Sequence, residues 1–430
     1  MGVLAGVFAA TARDFVHPQL ILAGFVYALT KSSFLVALIT IINKGGVLAP
    51  QLLISNFLEH TPRRRPQFIV LTVIRSTAYA LLVGAVWLLG EHLSTASLTL
   101  FFLVYAATCL ASASAHVVYT DMVGRLIPRR RTGAYIGLRS FLGGAAAMVA
   151  GFLIIQPILS KVPLPANYVW LAVIGAVLVL VDMSIFCQCR EEAGPRAHRR
   201  TTFRESLRRG LHWLRTDRNY RCYLIQRVAF RVSFLGLAFF IPYGEEQLKR
   251  TDSGLGVAVL GGIMVGVMKL SRMGGALLWG RVADRYGSRR SLLFGALFLT
   301  AAPLCALLAP RLPAHPLLTV PGAGTADIPL GVYLLALAIL GFGIQATIIG
   351  GQRFLIVNAP DHRRASYVGF LNTMTSPLTL LPLLGAVLAE TAGMQVLFLC
   401  VAAGGLLAFA GAWAMIPESA HGSSHSDRNE

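Results

Sequence analysis

Apolar runs alternate with short charged or turn-rich stretches along the whole chain. The runs fall at 3–26, 33–57, 67–90, 97–120, 134–156 and 167–188, then at 221–243, 255–279, 291–310, 329–352, 366–389 and 394–416. About twenty apolar residues in a helix span the hydrocarbon core of a bilayer. Lipid leaves backbone polar groups to be satisfied within each segment, so the runs predict helices. The expected architecture is all-α, with twelve membrane helices in two six-helix bundles, 1–188 and 221–416. The first boundary admits another reading. "QLILAGFVYALTKSSFLVALITII" could be one span, but the apolar stretch left before "HTPRRR" would be too short for a second. "MGVLAGVFAATA" ends like a signal-peptide cleavage site but lacks a basic head, so residues 3–26 are read as the first span.

The polar stretch 189–220 is expected to be a cytoplasmic linker. Within it, "FRESLRRGLHWLRTDR" sets Phe203, Leu207, Leu211 and Leu214 at helical spacing with arginines opposite, the pattern of an interfacial amphipathic helix. Residues 417–430 read as a disordered cytoplasmic tail.

Composition removes the soluble alternatives. The chain is 55% hydrophobic and 13% charged, with a mean hydropathy of +0.65, too apolar for an outer surface in water. A net charge of +19 would suit a nucleic-acid binder, but its distribution points elsewhere. Of 38 Lys and Arg, 24 lie in the even-numbered connections, the linker and the tail, against five in the odd connections. That asymmetry is the positive-inside signature of a multi-pass protein of the cytoplasmic (inner) membrane with both termini in the cytoplasm. No nucleic-acid partner is needed to explain it. The six cysteines lie in or beside apolar runs, and the Cys187/Cys189 pair has no second pair nearby to complete a metal site.

The chain also repeats itself. "IPRRRTGAYIG" and "APDHRRASYVG" pair Pro128 with Pro360, Arg131 with Arg363, Tyr135 with Tyr367 and Gly137 with Gly369, all at an offset of 232. "NFLEHTPRRRP" precedes "RVADRYGSRRS" by 225 residues and matches Glu59 with Asp284. Two echoes at nearly constant offset indicate duplicated halves, a known transporter layout.

"GRVADRYGSRR" (280–290) resembles the G-x-x-x-D-R-x-G-R-R loop signature of the major facilitator superfamily, here after the eighth span. In the first half, "NFLEHTPRRR" lacks both motif glycines. The Gly-Pro pair of drug/proton antiporters is missing from "GLRSFLGGAAAMVAG". The resemblance implies that Asp284 latches one bundle to the other, with Arg285 beside it in the turn. By the repeat, Asp284 is expected to meet the start of the fifth span near Arg131, and Glu59 the start of the eleventh near Arg363. Alternating access would then be rocking of the bundles as the latches break.

Charges inside the spans carry the remaining information, because each costs about 2.5–3.5 kcal/mol at a helix centre on insertion scales. Arg139, Asp182 and Arg353 lie toward cytoplasmic ends and read as snorkelling, with Arg75 intermediate. At mid-depth stand Arg13, Lys44, Arg227, Arg231, Lys269 and Arg272, with Asp14 the one acid among them. The resemblance implies that the first and seventh helices line the central cavity, with the second and eighth beside it. Cations there favour an anion such as a carboxylate, phosphate or sulfonate. Asp14 is the candidate carrier of a coupling proton, or else a fixed counter-ion. His116 reads as a packed core histidine, and "AATCLASASA" (106–115) as small-residue helix packing.

The function expected is secondary active transport of a small organic solute, anionic by these charges, by a monomer among membrane lipids. Export of amphipathic or drug-like compounds is the alternative within the class, and a non-transporting scaffold or receptor the alternative outside it. No G-x-x-x-x-G-K-[ST], G-x-S-x-G or His/Glu metal motif is present, so neither an enzyme nor a cofactor is expected.

Overall fold

The computed structural model describes residues 2–48, 65–188, 203–248, 257–320, 324–359 and 364–417. Among them, the one departure from helix and turn is a hairpin in which Pro316–Val320 pairs antiparallel with Gly324–Asp327.

Among the described residues, eight helices are long and apolar enough to cross a membrane, and a ninth counts if the bent pair Arg218–Leu237 and Phe240–Gln247 forms one span. Each lies over an expected run. The other three expected spans differ for physical reasons. The first is not continuous: Gly2–Phe15 and Ala23–Thr30 are separated by a π-helical turn at Pro18–Leu22. Pro18 has no N–H to donate and pushes the preceding residue toward extended backbone, and His17 sits at φ −61, ψ 122. The second, Ser33–Leu48, reaches the edge of the described residues. The eighth, Val257–Tyr286, is continuous over 30 residues; Lys269 and Arg272 lower its hydropathy. The linker helix forms over Phe203–Thr216.

The chain divides into two compact units. The first comprises residues 1–129, 138–210 and 355–374. Its core stacks Phe25, Leu82, Val86, Leu89 and Phe101, all nearly inaccessible, with Tyr168 packed on Phe25 at 5.0 Å between ring centroids. Trp87, Trp170 and Val177 are exposed on its helices, as a surface solvated by lipid permits.

The second unit comprises residues 130–137, 211–354 and 375–430. Phe240, Met264, Leu299, Tyr333, Leu337 and Phe398 fill its core. Its last helix, Met394–Trp413, leaves terminal carbonyls without intrahelical partners. Arg289 donates to two of them, Ala412 O at 3.3 Å and Trp413 O at 2.7 Å. Just beyond, the buried Asn219 side chain pairs reciprocally with the backbone of Ile416, donating at 3.2 Å and accepting at 2.7 Å.

Candidate functional site

The break in the first helix opens onto an enclosure. A cavity of about 410 Å³ lies within the first unit, and residues from all six of its first spans line it. Arg13, His17 and Pro18 come from the first span, with His17 and Pro18 at the break. Asn43 comes from the second, Arg75 and Tyr79 from the third, and His116 and Tyr119 from the fourth. The fifth adds Arg139 and the sixth Asp182.

Among the described residues, three guanidinium groups therefore share one enclosure with a single carboxylate. Asp182 Oδ2 stands 3.7 Å from Arg75 Nη1, with both side chains withdrawn from solvent. Arg75 also lies 5.7 Å from the Tyr79 ring centre, and Arg139 sits 4.6 Å over the Tyr119 ring. Such cation–π contacts hold a guanidinium by its face and leave its edge donors available. The Nε atoms of Arg75 and Arg139 are buried and have no hydrogen-bond partner among the described residues. A buried, unpaired cationic donor is costly, so an acceptor at that place would be bound strongly. Room for Arg139 comes from Gly6: a Cβ there would fall onto the Arg139 side chain.

Arg13 and His116 are exposed even though both sit among packed helices; since both line the cavity, that surface faces its interior. His116 is thus a cavity residue and not a packed core histidine. Thr108, Cys109 and Ser112 of the small-residue run 106–115 also line the cavity, so that stretch does more than pack helices. Arg139 and Asp182, expected to snorkel, point into the cavity instead. Their depth in the sequence measures distance from a loop, not the presence of an enclosure reaching that level. Asp14 is half-buried and is not among the lining residues.

Other residues singled out from the sequence lie in the second unit. Arg227 donates to the Tyr223 hydroxyl at 3.1 Å, and Arg231 faces the Phe234 ring at 5.6 Å. Arg272 is half-buried beside Gly341, and Lys269 is exposed. Lys44 lies in a helix, but its side chain is outside the described residues, as are Glu59 and Arg363.

A second constellation, wholly within the second unit, surrounds Asp284. Its Oδ1 accepts the amide of Gly133 and its Oδ2 that of Ala134, both at 2.7 Å. These are first-turn donors of the helix Thr132–Ala150, free of intrahelical partners. Approach this close needs bare backbone: a Cβ on Gly133 or on Gly280 would meet the other residue's carbonyl. Arg353 adds a charged donor to Asp284 Oδ1 at 3.1 Å and another to Ser288 Oγ at 3.1 Å. Arg353 is only 5% exposed, buried in an ion pair and not snorkelling. Arg285 points away, 5.4 Å from the Tyr286 ring, and Arg131 is exposed in the turn Arg129–Arg131. Gly287, at φ 85, makes the turn that starts the next helix.

Known proteins share this architecture. A family model described as the Major Facilitator Superfamily matches residues 2–379 and 275–430. A crystal structure of a bacterial homologue of the iron transporter ferroportin, in an outward-facing state, superposes at TM-score 0.74 with 14% identity, covering 96% of this chain and 97% of that one. The E. coli fucose:proton symporter matches at TM-score 0.69 and 14% identity, over 96% of each chain. A human organic anion transporter matches at TM-score 0.68 and 16% identity, over 96% of this chain and 97% of that one. At such identities the likeness establishes the fold alone. No curated protein sequence matches the chain.

Proposed function

The chain belongs to the major facilitator superfamily, and is a multi-pass membrane protein and secondary transporter; from that premise we propose that its cargo is a small organic anion, moved by alternating access. The observation that carries this is the excess of arginine among the described residues of the cavity: Arg13, Arg75 and Arg139 against Asp182. Guanidinium offers paired donors to carboxylate, phosphate or sulfonate, and two of these groups bury an Nε with no described partner. Lys44, Arg227, Arg231, Lys269 and Arg272 remain the further cationic candidates.

The two six-helix halves, 1–188 and 221–416, are supported by the internal repeat, with 189–220 as linker and 417–430 as tail. The positive-inside bias supports a cytoplasmic-membrane location with both termini inside. Asp284 on the amides of Gly133 and Ala134 supports a latch role, with Arg131, Arg285 and, in the repeat-related turn, Glu59 and Arg363 as its companions. A helix start holds a carboxylate by its amides and dipole, and releases it when the helix moves away.

Proteoliposomes holding the full chain test the reading. Labelled benzoate, succinate, glucose and tetraphenylphosphonium would be offered in parallel, to wild type and to Arg13→Gln and Lys269→Gln. Saturable uptake of an anion, cut about tenfold by loss of the cation, is expected. If only the neutral or cationic compounds move, and both variants behave as wild type, the anion assignment is wrong.

A further inference from the structure

We propose that the cargo anion also bears a hydroxyl group, read by Tyr105 and Ser112 on the cavity wall that leads away from the arginines. This names the cargo more closely and rests on the anion reading. Tyr105, Cys109, Ser112, His116 and Tyr119 all line the cavity from the fourth span. Their spacing of four, three, four and three puts them on one helix face, along about 21 Å of rise. At one end of that face Arg139 lies 4.6 Å over the Tyr119 ring. The third span runs antiparallel to the fourth across the short connection 92–94, and Thr108 Oγ donates to Ala78 O at 3.1 Å. Arg75 therefore lies toward His116, and Leu82 toward Tyr105.

Hydroxyls in helices ordinarily bond the carbonyl one turn back, which engages them locally. Thr108 reaches Val104 O at 2.8 Å, Ser114 reaches Leu110 O at 2.7 Å, and Thr72 reaches Phe68 O at 2.7 Å. Ser112, between the first two in sequence, does not follow them: its buried Oγ has no hydrogen-bond partner among the described residues. Neither has the Tyr105 hydroxyl, on a side chain only 3% exposed. The Tyr105 ring is fixed, stacked on Phe101 at 6.2 Å between centroids and 8° between planes. Packing alone would be served by phenylalanine there, because a buried hydroxyl without a partner costs stability. Asn43 of the second span adds an amide whose side chain bonds Cys109 Sγ at 3.8 Å, a weak acceptor.

A cargo hydroxyl suits these groups because it both donates and accepts, as they do. The cargo then has an order: its anion at the arginines, its hydroxyl farther along the fourth span. Benzoate and succinate supply only the first part. A site built to bond a hydroxyl discriminates strongly against the analogue that lacks one.

Matched pairs test this by titration calorimetry on the full-length protein in detergent. The pairs are 4-hydroxybenzoate with benzoate, 4-hydroxyphenylacetate with phenylacetate, and 3-(4-hydroxyphenyl)propionate with 3-phenylpropionate. Their three lengths sample the distance from the arginines to the two hydroxyls. In at least one pair the hydroxylated member should bind about tenfold more tightly or better. Tyr105→Phe or Ser112→Ala should shrink that preference to about twofold. The deoxy partner should keep its wild-type affinity, which also shows that the variant is folded. Equal affinities within all three pairs in wild type, or a preference that both variants keep, would overturn the hydroxyl reading and leave the anion reading intact. Uncharged 4-hydroxybenzamide bound as tightly as 4-hydroxybenzoate, and far more tightly than benzamide, would overturn the anion reading and keep the role of Tyr105 and Ser112. Binding of none of these compounds would overturn both. If both variants lose the deoxy partner as well, Cys109 in the wild type decides. Its alkylation by N-ethylmaleimide, followed by mass spectrometry, must be slowed more by the hydroxylated member than by its partner, each at saturation, and equal protection overturns the proposal.

Discussion

Arg353 Nε donates to Asp284 Oδ1 at 3.1 Å, and that oxygen also accepts the Gly133 amide at 2.7 Å. A buried arginine thus steadies the acid that grips a helix start. Removing one partner of a buried ion pair costs about 3–5 kcal/mol. Arg353→Gln should therefore lower the melting temperature in detergent measurably, and Arg353→Lys should recover only part, because a single ammonium cannot reach Asp284 and Ser288 together. Melting curves followed by size-exclusion chromatography would show this; unchanged curves would mean the pair contributes nothing.

Asp284→Asn keeps the shape of the side chain but loses the charge that two amides share. Hydrogen bonds to charged groups contribute about 1.5–3 kcal/mol each. Uptake slowed about tenfold or more at unaltered expression is expected, and wild-type uptake would remove the latch role.

Gly280→Val places branched carbon where the Gly133 carbonyl now lies. The two backbones would be forced apart, and Asp284 would lose the amides it reaches. The expected result is faster trypsin cleavage in the basic turn 127–131. A digestion pattern identical to wild type would show that the close approach is dispensable.

Gly6→Val tests the cavity from the opposite wall. A side chain there displaces Arg139 from its seat against the first helix. Anion uptake should fall about as far as in Arg139→Gln while circular dichroism stays unchanged. If Gly6→Val transports normally, Arg139 does not need that seat.

Arg75→Gln removes the cation nearest Asp182 and one unpartnered donor. Losing a charge-assisted contact of about 1.5–3 kcal/mol corresponds to roughly 10–100-fold weaker anion affinity. Half-saturation for benzoate exchange measures it, and an unchanged value would place the anion elsewhere.

Most of the spans can be read in the sequence because run length alone distinguishes lipid-spanning helices. The turn at Asp284 is legible for the same reason that it is unusual: one acid among arginines at a helix boundary. The role of Arg353 is not, since its partner lies 69 residues away and only folding brings them together. The cavity is half legible. Arg13 stands out by depth, whereas Arg75, Arg139 and Asp182 can be ranked only by distance from the nearest loop, which says nothing about an enclosure. Pro18 inside an apolar run is the available signal for the broken first helix, because proline cannot continue the hydrogen-bond ladder. Glu59 and Arg363 lie outside the described residues.

Asn219 holds the backbone of Ile416 from both sides, which sets where the polypeptide can be trimmed. Cutting before that isoleucine would strip a buried amide of both its companions and loosen the end of the final helix. A purification tag or fluorescent fusion placed after Pro417 leaves the clasp closed.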